Sequence, residues 1–325
     1  MNLDKKLSRT WARMGPRAVY GSVMSQIALQ DESLLLISAD LGRSSGLATF
    51  YRDHPDKFIN TGIAEQNMVG FAAGLSRVGY KVFASTFAPF ASMRASEQVR
   101  MNLGYMEEPV RLVALGSGVS MAFLGNSHYG LEDLSIMRSI PGITIISPAD
   151  CIELYKALSV MVEHNAPTYL RITGAPSAPT VYESDYDFKI GTPNWISPKS
   201  DINVFASGSV VAQCKKAIEE IEKKTGVAVG LLNIHTLKPL PEKFLSEIIA
   251  GSDLTFIVEE HTKTGGLRGA IAELVVDQGL DSRSIFTRTL PDHYLETGEY
   301  SYLLSLYGLD ALALESFFME KIANA

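Results

Sequence analysis

Residues 58–75, FINTGIAEQNMVGFAAGL, decide the fold. FIN is a short extended run, Thr61-Gly62 ends it, and Met68, Phe71, Ala72 and Leu75 then recur at helical spacing. A second β-rich apolar run, KVFAS (81–85), follows, so strand, helix and strand succeed one another as a βαβ unit. Glu65 opens the helix, where an acid opposes the positive end of the helix dipole. That alone is a sufficient structural reason for it. Gly70 and Gly74 ask for more, because each costs about 1 kcal/mol against alanine in a helix interior. Two of them predict that something packs very close to that face.

Outward from this unit the alternation continues. SLLLISAD (33–40), VRLVAL (110–115), ITIISPAD (143–150) and TYLRI (168–172) read as buried strands, with helical periodicity over 17–30, 64–77, 90–103 and 150–164. Such alternation predicts a doubly wound, mostly parallel α/β sheet. The stretch 174–200 is rich in Pro, Ser and Gly, has no clear period, and is the expected linker. After it the pattern restarts with INVFASGS, a helix at 209–224, VAVGLLNI and a helix near 241–250. DLTFIVEE, a helix at 265–279 and SIFTRTL complete it. At 325 residues two cores are expected. The expected α/β domains span about 1–185 and 186–325.

Composition narrows the function. A hydrophobic share of 46% and a net charge of −7, without a basic run, argue against nucleic-acid binding. Cys151 and Cys214 cannot build a disulfide framework, and the 6 histidines show no metal-ligand spacing. The first residues carry charge but no apolar core of a signal peptide, and no apolar run looks long enough to span a bilayer. A cytoplasmic protein is expected. His235 and His261 fall on expected loops after strands, and His54, His164 and His293 are expected at the surface.

In open parallel sheets ligands collect at the carboxyl ends of strands. Asp40, Ser44, Glu65, the loop 116–129 and Arg171 all fall at or near such ends. The segments ISADLGRSSG, FINTGIAEQNMVGFAAGL, ASTFAPFASMRASEQVR, the loop ending in SHYGLED, and NIHTLKPL together resemble the transketolase family. More narrowly, they resemble the C-terminal subunit of split transketolases, which carries a pyrimidine-binding domain and a C-terminal domain. The resemblance implies thiamine diphosphate chemistry that transfers a two-carbon ketol unit between sugars or sugar phosphates.

It also implies roles. Glu65 matches the glutamate that hydrogen-bonds N1′ of the cofactor's aminopyrimidine, favouring the 4′-imino form that takes the proton from thiazolium C2. Phe87 and Phe90 match the aromatic platform beneath the pyrimidine; ordinary core packing is the alternative. Arg94 resembles an arginine of 1-deoxyxylulose-5-phosphate synthase relatives and is also readable as a solvated or ion-paired side chain. Asp40 matches an aspartate near the thiazolium ring, and Ser44 a serine that meets sugar phosphate. His128 matches a histidine that contacts the substrate carbonyl or hydroxyl. Arg171 matches an arginine that grips substrate phosphate, with an interdomain salt bridge as the alternative.

The loop 116–129 departs from the family. Leu124 stands where an aspartate usually reads a donor hydroxyl, and Gly116 where many relatives place a phosphate-binding histidine. Substrates other than the ordinary pentose phosphates are therefore expected. No G-D-G…N stretch for Mg²⁺ and diphosphate is found. The resemblance then implies an N-terminal partner subunit supplying the Mg²⁺ ligands, in an assembly of α2β2 type. Two rivals remain: the β subunit of a 2-oxoacid dehydrogenase decarboxylase, and a non-catalytic scaffold that keeps the fold.

Overall fold

The expected apolar runs become strands buried on both faces, which is why they read as unbroken hydrophobic stretches. A computed structural model describes residues 3–173 and 177–324. In chain order its first part contains α1 (Lys5–Met14), α2 (Pro16–Ala28), β1 (Leu34–Ser38), α3 (Ala48–Asp53), β2 (Phe58–Asn60) and α4 (Glu65–Arg77). Then come β3 (Lys81–Phe87), α5 (Ser96–Gln98), β4 (Arg111–Ser117), α6 (Asp133–Ser139), β5 (Thr144–Ile146), α7 (Cys151–Met161) and β6 (Thr168–Thr173). The second part runs β7 (Asn194–Ser197), β8 (Ile202–Ser207), α8 (Val211–Thr225), β9 (Gly230–Asn233), β10 (Thr236–Lys238) and α9 (Glu242–Ala250). It ends with β11 (Leu254–Thr262), α10 (Leu267–Asp277), β12 (Ile285–Leu290), α11 (Tyr300–Leu306) and α12 (Ala311–Ala323).

Seven strands order as β10-β5-β6-β4-β3-β1-β2, and five as β12-β11-β8-β9-β7. Pairing is parallel except for β10 on β5 and β7 on β9. Both exceptions lie outside the sequence reading. β7 falls inside the expected linker, and β10 leaves the second half of the chain to complete the first sheet's edge. The register pairs Ser38 with Asn60 and with Ser85, and Phe87 with Leu115. The carboxyl ends of β2, β1, β3 and β4 therefore lie side by side.

Local chemistry explains the helix starts. Asp150 caps α7, accepting from Glu153 N–H at 2.9 Å and from Val181 and Tyr182 N–H at 2.8 Å. One side chain thus anchors both the helix and the segment that leaves the first domain. The helix expected over 90–103 forms, but with π-type turns at Phe90–Arg94 and Val99–Tyr105 around α5. Tyr300–Ala323 has the length and apolarity of a membrane span. A turn at residues 307–310 splits it into α11 and α12, and α12 packs on α8.

Two of the histidines, His261 and His164, also differ from expectation. His261 is buried within β11 rather than on a loop. His235 does lie on the loop between β9 and β10, buried, and desolvation pushes its pKa down to about 4. His164 is half-buried against Thr144. A Cβ at Gly70 or Gly74 would meet nothing within 4 Å, so none of the described residues packs on that face of α4.

Candidate functional site

Asp40 leaves β1 in the left-handed region, φ 58°, a conformation that non-glycine residues hold at a cost. Asn60, at the end of the neighbouring β2, pins it there. Its Oδ1 accepts from Asp40 N–H at 3.0 Å and from Gly62 N–H at 3.0 Å, while its Nδ2 donates to Asp40 Oδ1 at 3.1 Å. One amide therefore fixes both Asp40 and the turn that launches Glu65. A cavity of about 480 Å³ opens beside it, between Asp40, Ser44, Tyr51 and Asn60.

Glu65, 4% exposed, is the first residue of α4. Its Oε1 accepts from Arg94 Nη1 at 2.7 Å. The Arg94 guanidinium also lies over the ring of Phe90, 4.0 Å from its centroid. The π-type turn that carries Phe90 and Arg94 brings the two to the same spot. Phe87, at the end of β3, stands 5.8 Å from Phe90, centroid to centroid. His128 closes the group, 6.0 Å from Phe87 and 5.6 Å from Phe90, edge-on to both. Its Nδ1 shares a 2.9 Å hydrogen bond with Ser127 Oγ, which leaves Nε2 for a ligand. Phe123 and Leu124 are exposed on the same loop.

This arrangement fits the aminopyrimidine of thiamine diphosphate. Arg94 shows that the place takes a flat N–H-bearing group that hydrogen-bonds the buried carboxyl and stacks on an aromatic face. An aminopyrimidine has the same two needs. Phe87 and Phe90 would supply stacking of roughly 0.5–1.5 kcal/mol beyond area burial to such a ring.

Arg17 escaped the sequence reading. It opens α2, half-buried, and its guanidinium lies 5.8 Å from the Phe87 centroid. Among the described residues its polar partners are a 3.4 Å bond to Ser44 O and a 2.9 Å contact with Met121 Sδ. Burial pushes its pKa below the ordinary arginine value, with no carboxylate to offset it. A half-buried cation with such weak partners, beside the aromatic pair and Ser44, suits an anionic ligand. A signal was present: neither Tyr20 nor Gly21, one helical turn on, offers it an acid. Met121 also explains Gly116, since a Cβ there would come within 2.3 Å of Met121 Sδ.

The site thus runs as a line from Ser44 and Arg17, past Phe87, His128 and Phe90, to Arg94 and Glu65, with Asp40 alongside. Arg171 is not on it. Its guanidinium, 2% exposed, pairs through Nε with Asp133 Oδ2 at 2.9 Å. Nη2 donates to the carbonyls of Gly130 at 3.2 Å and Glu260 at 3.0 Å. Burial alone would lower its pKa, but the Asp133 carboxylate outweighs that and raises it. A phosphate could reach Arg171 only by breaking this buried pair, so the structure places Arg171 in an ion pair within the first domain, hydrogen-bonded to the second through Glu260 O, and not on a free phosphate-gripping surface. His261 joins the cluster, 3.7 Å from Asp133 Oδ1, with burial pushing its pKa down to about 4.

Comparison with known proteins shows the family. Residues 13–174 match the family described as transketolase, pyrimidine binding domain, and residues 191–314 that described as transketolase, C-terminal domain. A putative transketolase C-terminal section from Methanocaldococcus jannaschii is 33% identical over 95% of this chain and 96% of its own length. A 6-deoxy-6-sulfo-D-fructose transketolase subunit from Clostridium sp. is 31% identical over 95% of this chain and 93% of its own. Among solved structures, an inactive beta4 tetramer of a split-gene transketolase superposes with a TM-score of 0.83 at 29% identity, covering 95% of this chain and 99% of that one. The chain belongs to the transketolase family and carries its pyrimidine-binding and C-terminal domains.

Proposed function

We propose that this chain is the pyrimidine-side subunit of a two-subunit, thiamine diphosphate-dependent transketolase. In this reading it moves a two-carbon ketol unit from a ketose bearing a terminal anion. The observation that carries the proposal is the buried Glu65 carboxyl at the opening of α4, flanked by Phe90 and reached across Phe87 and His128. When bound, thiamine diphosphate would supply a carbon nucleophile, C2, once its proton is removed. Glu65 holds a proton between its carboxyl and ring N1′; Phe87 and Phe90 orient the ring; His128 Nε2 hydrogen-bonds the substrate oxygen. Asp40, fixed by Asn60, faces the thiazolium side, and Arg17 with Ser44 takes the terminal anion. The decarboxylase and scaffold readings are not favoured, since the chain matches the transketolase pyrimidine-binding description and keeps Glu65.

The Mg²⁺ and diphosphate are assigned to an N-terminal partner subunit, because the sequence holds no G-D-G…N stretch. An α2β2 assembly is supported by the uncovered face of α4, where Phe71 is 46% exposed beside the open Gly70 and Gly74, and Ile63 just before it 80%. A relative's self-association as a beta4 tetramer points the same way.

Substrate choice tests the reading. Leu124 offers no acceptor for a donor hydroxyl, and an unpaired buried hydroxyl costs about 1–3 kcal/mol. The pair is therefore expected to use xylulose 5-phosphate poorly. Leu124→Asp should raise kcat/KM for it by roughly ten- to a hundredfold, and Arg17→Ala should raise KM for any ketose phosphate. Ordinary transketolase rates in the wild-type pair, with no gain from Leu124→Asp, would contradict this specificity.

A further inference from the structure

His128 belongs to the first domain, but the loop that carries it is held at both ends by the second. At the start of the loop, Val119 N–H donates to Glu260 Oε1 at 2.8 Å. Glu260, 1% exposed near the end of β11, accepts on its other oxygen from Ser209 Oγ at 2.9 Å and Tyr300 OH at 2.6 Å. All three donors come from outside its own strand, so the carboxylate is a fixed post. Gly118 makes the approach possible, since a Cβ there would lie 2.1 Å from Glu260 Oε1.

At the other end, Asn126 makes a reciprocal pair with the backbone of Leu295. Its Nδ2 donates to Leu295 O at 2.7 Å, and Leu295 N–H donates to its Oδ1 at 2.8 Å. Tyr129 OH donates to Ala122 O at 2.5 Å and to Glu296 O at 3.2 Å. Gly125 is pressed against Thr297, whose Cγ2 a Cβ would meet at 2.6 Å. His128 lies between Asn126 and Tyr129, and its own ring and side-chain contacts among the described residues are with Ser127, Phe87 and Phe90. The backbone that carries its ring is therefore held on both sides by residues that are themselves fixed to segment 295–297.

We propose that Asn126 is a positioning residue for His128, and that the second domain, through Glu260 and segment 295–297, sets where the substrate loop of the first domain stands. The C-terminal domain then takes part in substrate geometry as well as in assembly. Displacing a substrate-contacting group by about 1 Å can cost up to a hundredfold in rate, so a modest slackening of this loop is enough to be read kinetically. The kinetic part rests on the reading of His128 given above, and the positioning part does not.

The test uses the full chain with ¹³C-labelled histidine rings, the His128 signal being assigned by its loss in His128→Gln. Asn126→Ala should broaden or shift the His128 Cε1–H resonance while leaving that of buried His235 unmoved. Tyr129→Phe, which removes one hydroxyl and keeps the packing, should move it in the same direction by less. In the reconstituted pair, Asn126→Ala should lower kcat/KM for xylulose 5-phosphate about tenfold, mainly through KM, with thiamine diphosphate affinity unchanged. A His128 resonance in Asn126→Ala that superposes on the wild-type signal overturns the positioning role. A displaced resonance with unchanged kcat/KM overturns the kinetic part and, with it, the substrate role of His128.

Discussion

Glu65→Gln, assembled with the partner subunit, is expected to slow proton exchange at C2 of thiamine diphosphate, and turnover with it, by at least about a hundredfold. That corresponds to roughly 2.7 kcal/mol in the barrier. An amide fills the same volume at the start of α4 and still accepts from Arg94. It cannot share a proton with a ring nitrogen. Because Arg94 is 48% exposed in its side chain, weakening its bond to residue 65 should cost little stability, so the variant should fold and keep its unfolding midpoint. The exchange is read by NMR in deuterated buffer. Wild-type-like exchange would return Glu65 to a purely structural role at the helix dipole.

Arg171→Ala should act on stability and not on phosphate recognition. Removing one member of a buried ion pair leaves the other charge unsolvated, at about 3–5 kcal/mol. Here the stranded group is Asp133, whose side chain is 0% exposed. Against the 5–15 kcal/mol typical of native proteins this is a large share. Urea unfolding should show the midpoint falling sharply. Replacing both partners, as Arg171→Met with Asp133→Leu, should recover much of the loss, since apolar pairs of similar volume often match a buried ion pair. An unchanged midpoint together with a raised KM for ketose phosphates would restore the phosphate-gripping role. The contrasting variant is Arg17→Ala, where KM should rise.

The strand and helix order was readable because parallel strands covered on both faces leave long apolar runs, and α4 carries clear helical spacing. β7 and β10 were not readable. β7 spans Asn194–Ser197 and β10 Thr236–Lys238, too short to show a period, and each is placed by a partner strand distant in sequence. In the site, Glu65, Phe87, Phe90 and His128 stood out through their neighbouring motif residues. The arginines are the least legible part: the sequence offers Arg171 for the phosphate, whereas the structure pairs it with Asp133, and no motif marks Arg17. Sequence alone does not show which guanidinium meets a carboxylate. Asp133, the deciding group, lies 38 residues before Arg171 and becomes its neighbour only in the folded first domain. Arg94 was legible as either ion-paired or cofactor-facing. The structure pairs it with the carboxyl that the cofactor would use.

The central claim is that this chain holds the pyrimidine half of a shared cofactor site. Its most direct test is a calorimetric titration of thiamine diphosphate with Mg²⁺, first into this chain alone and then into its complex with a subunit carrying a G-D-G…N stretch. The chain alone should give weak binding indifferent to Mg²⁺, and the complex tight binding that is lost when Mg²⁺ is chelated. Tight, Mg²⁺-dependent binding by the isolated chain, or a complex that binds no better than its parts, would contradict the claim.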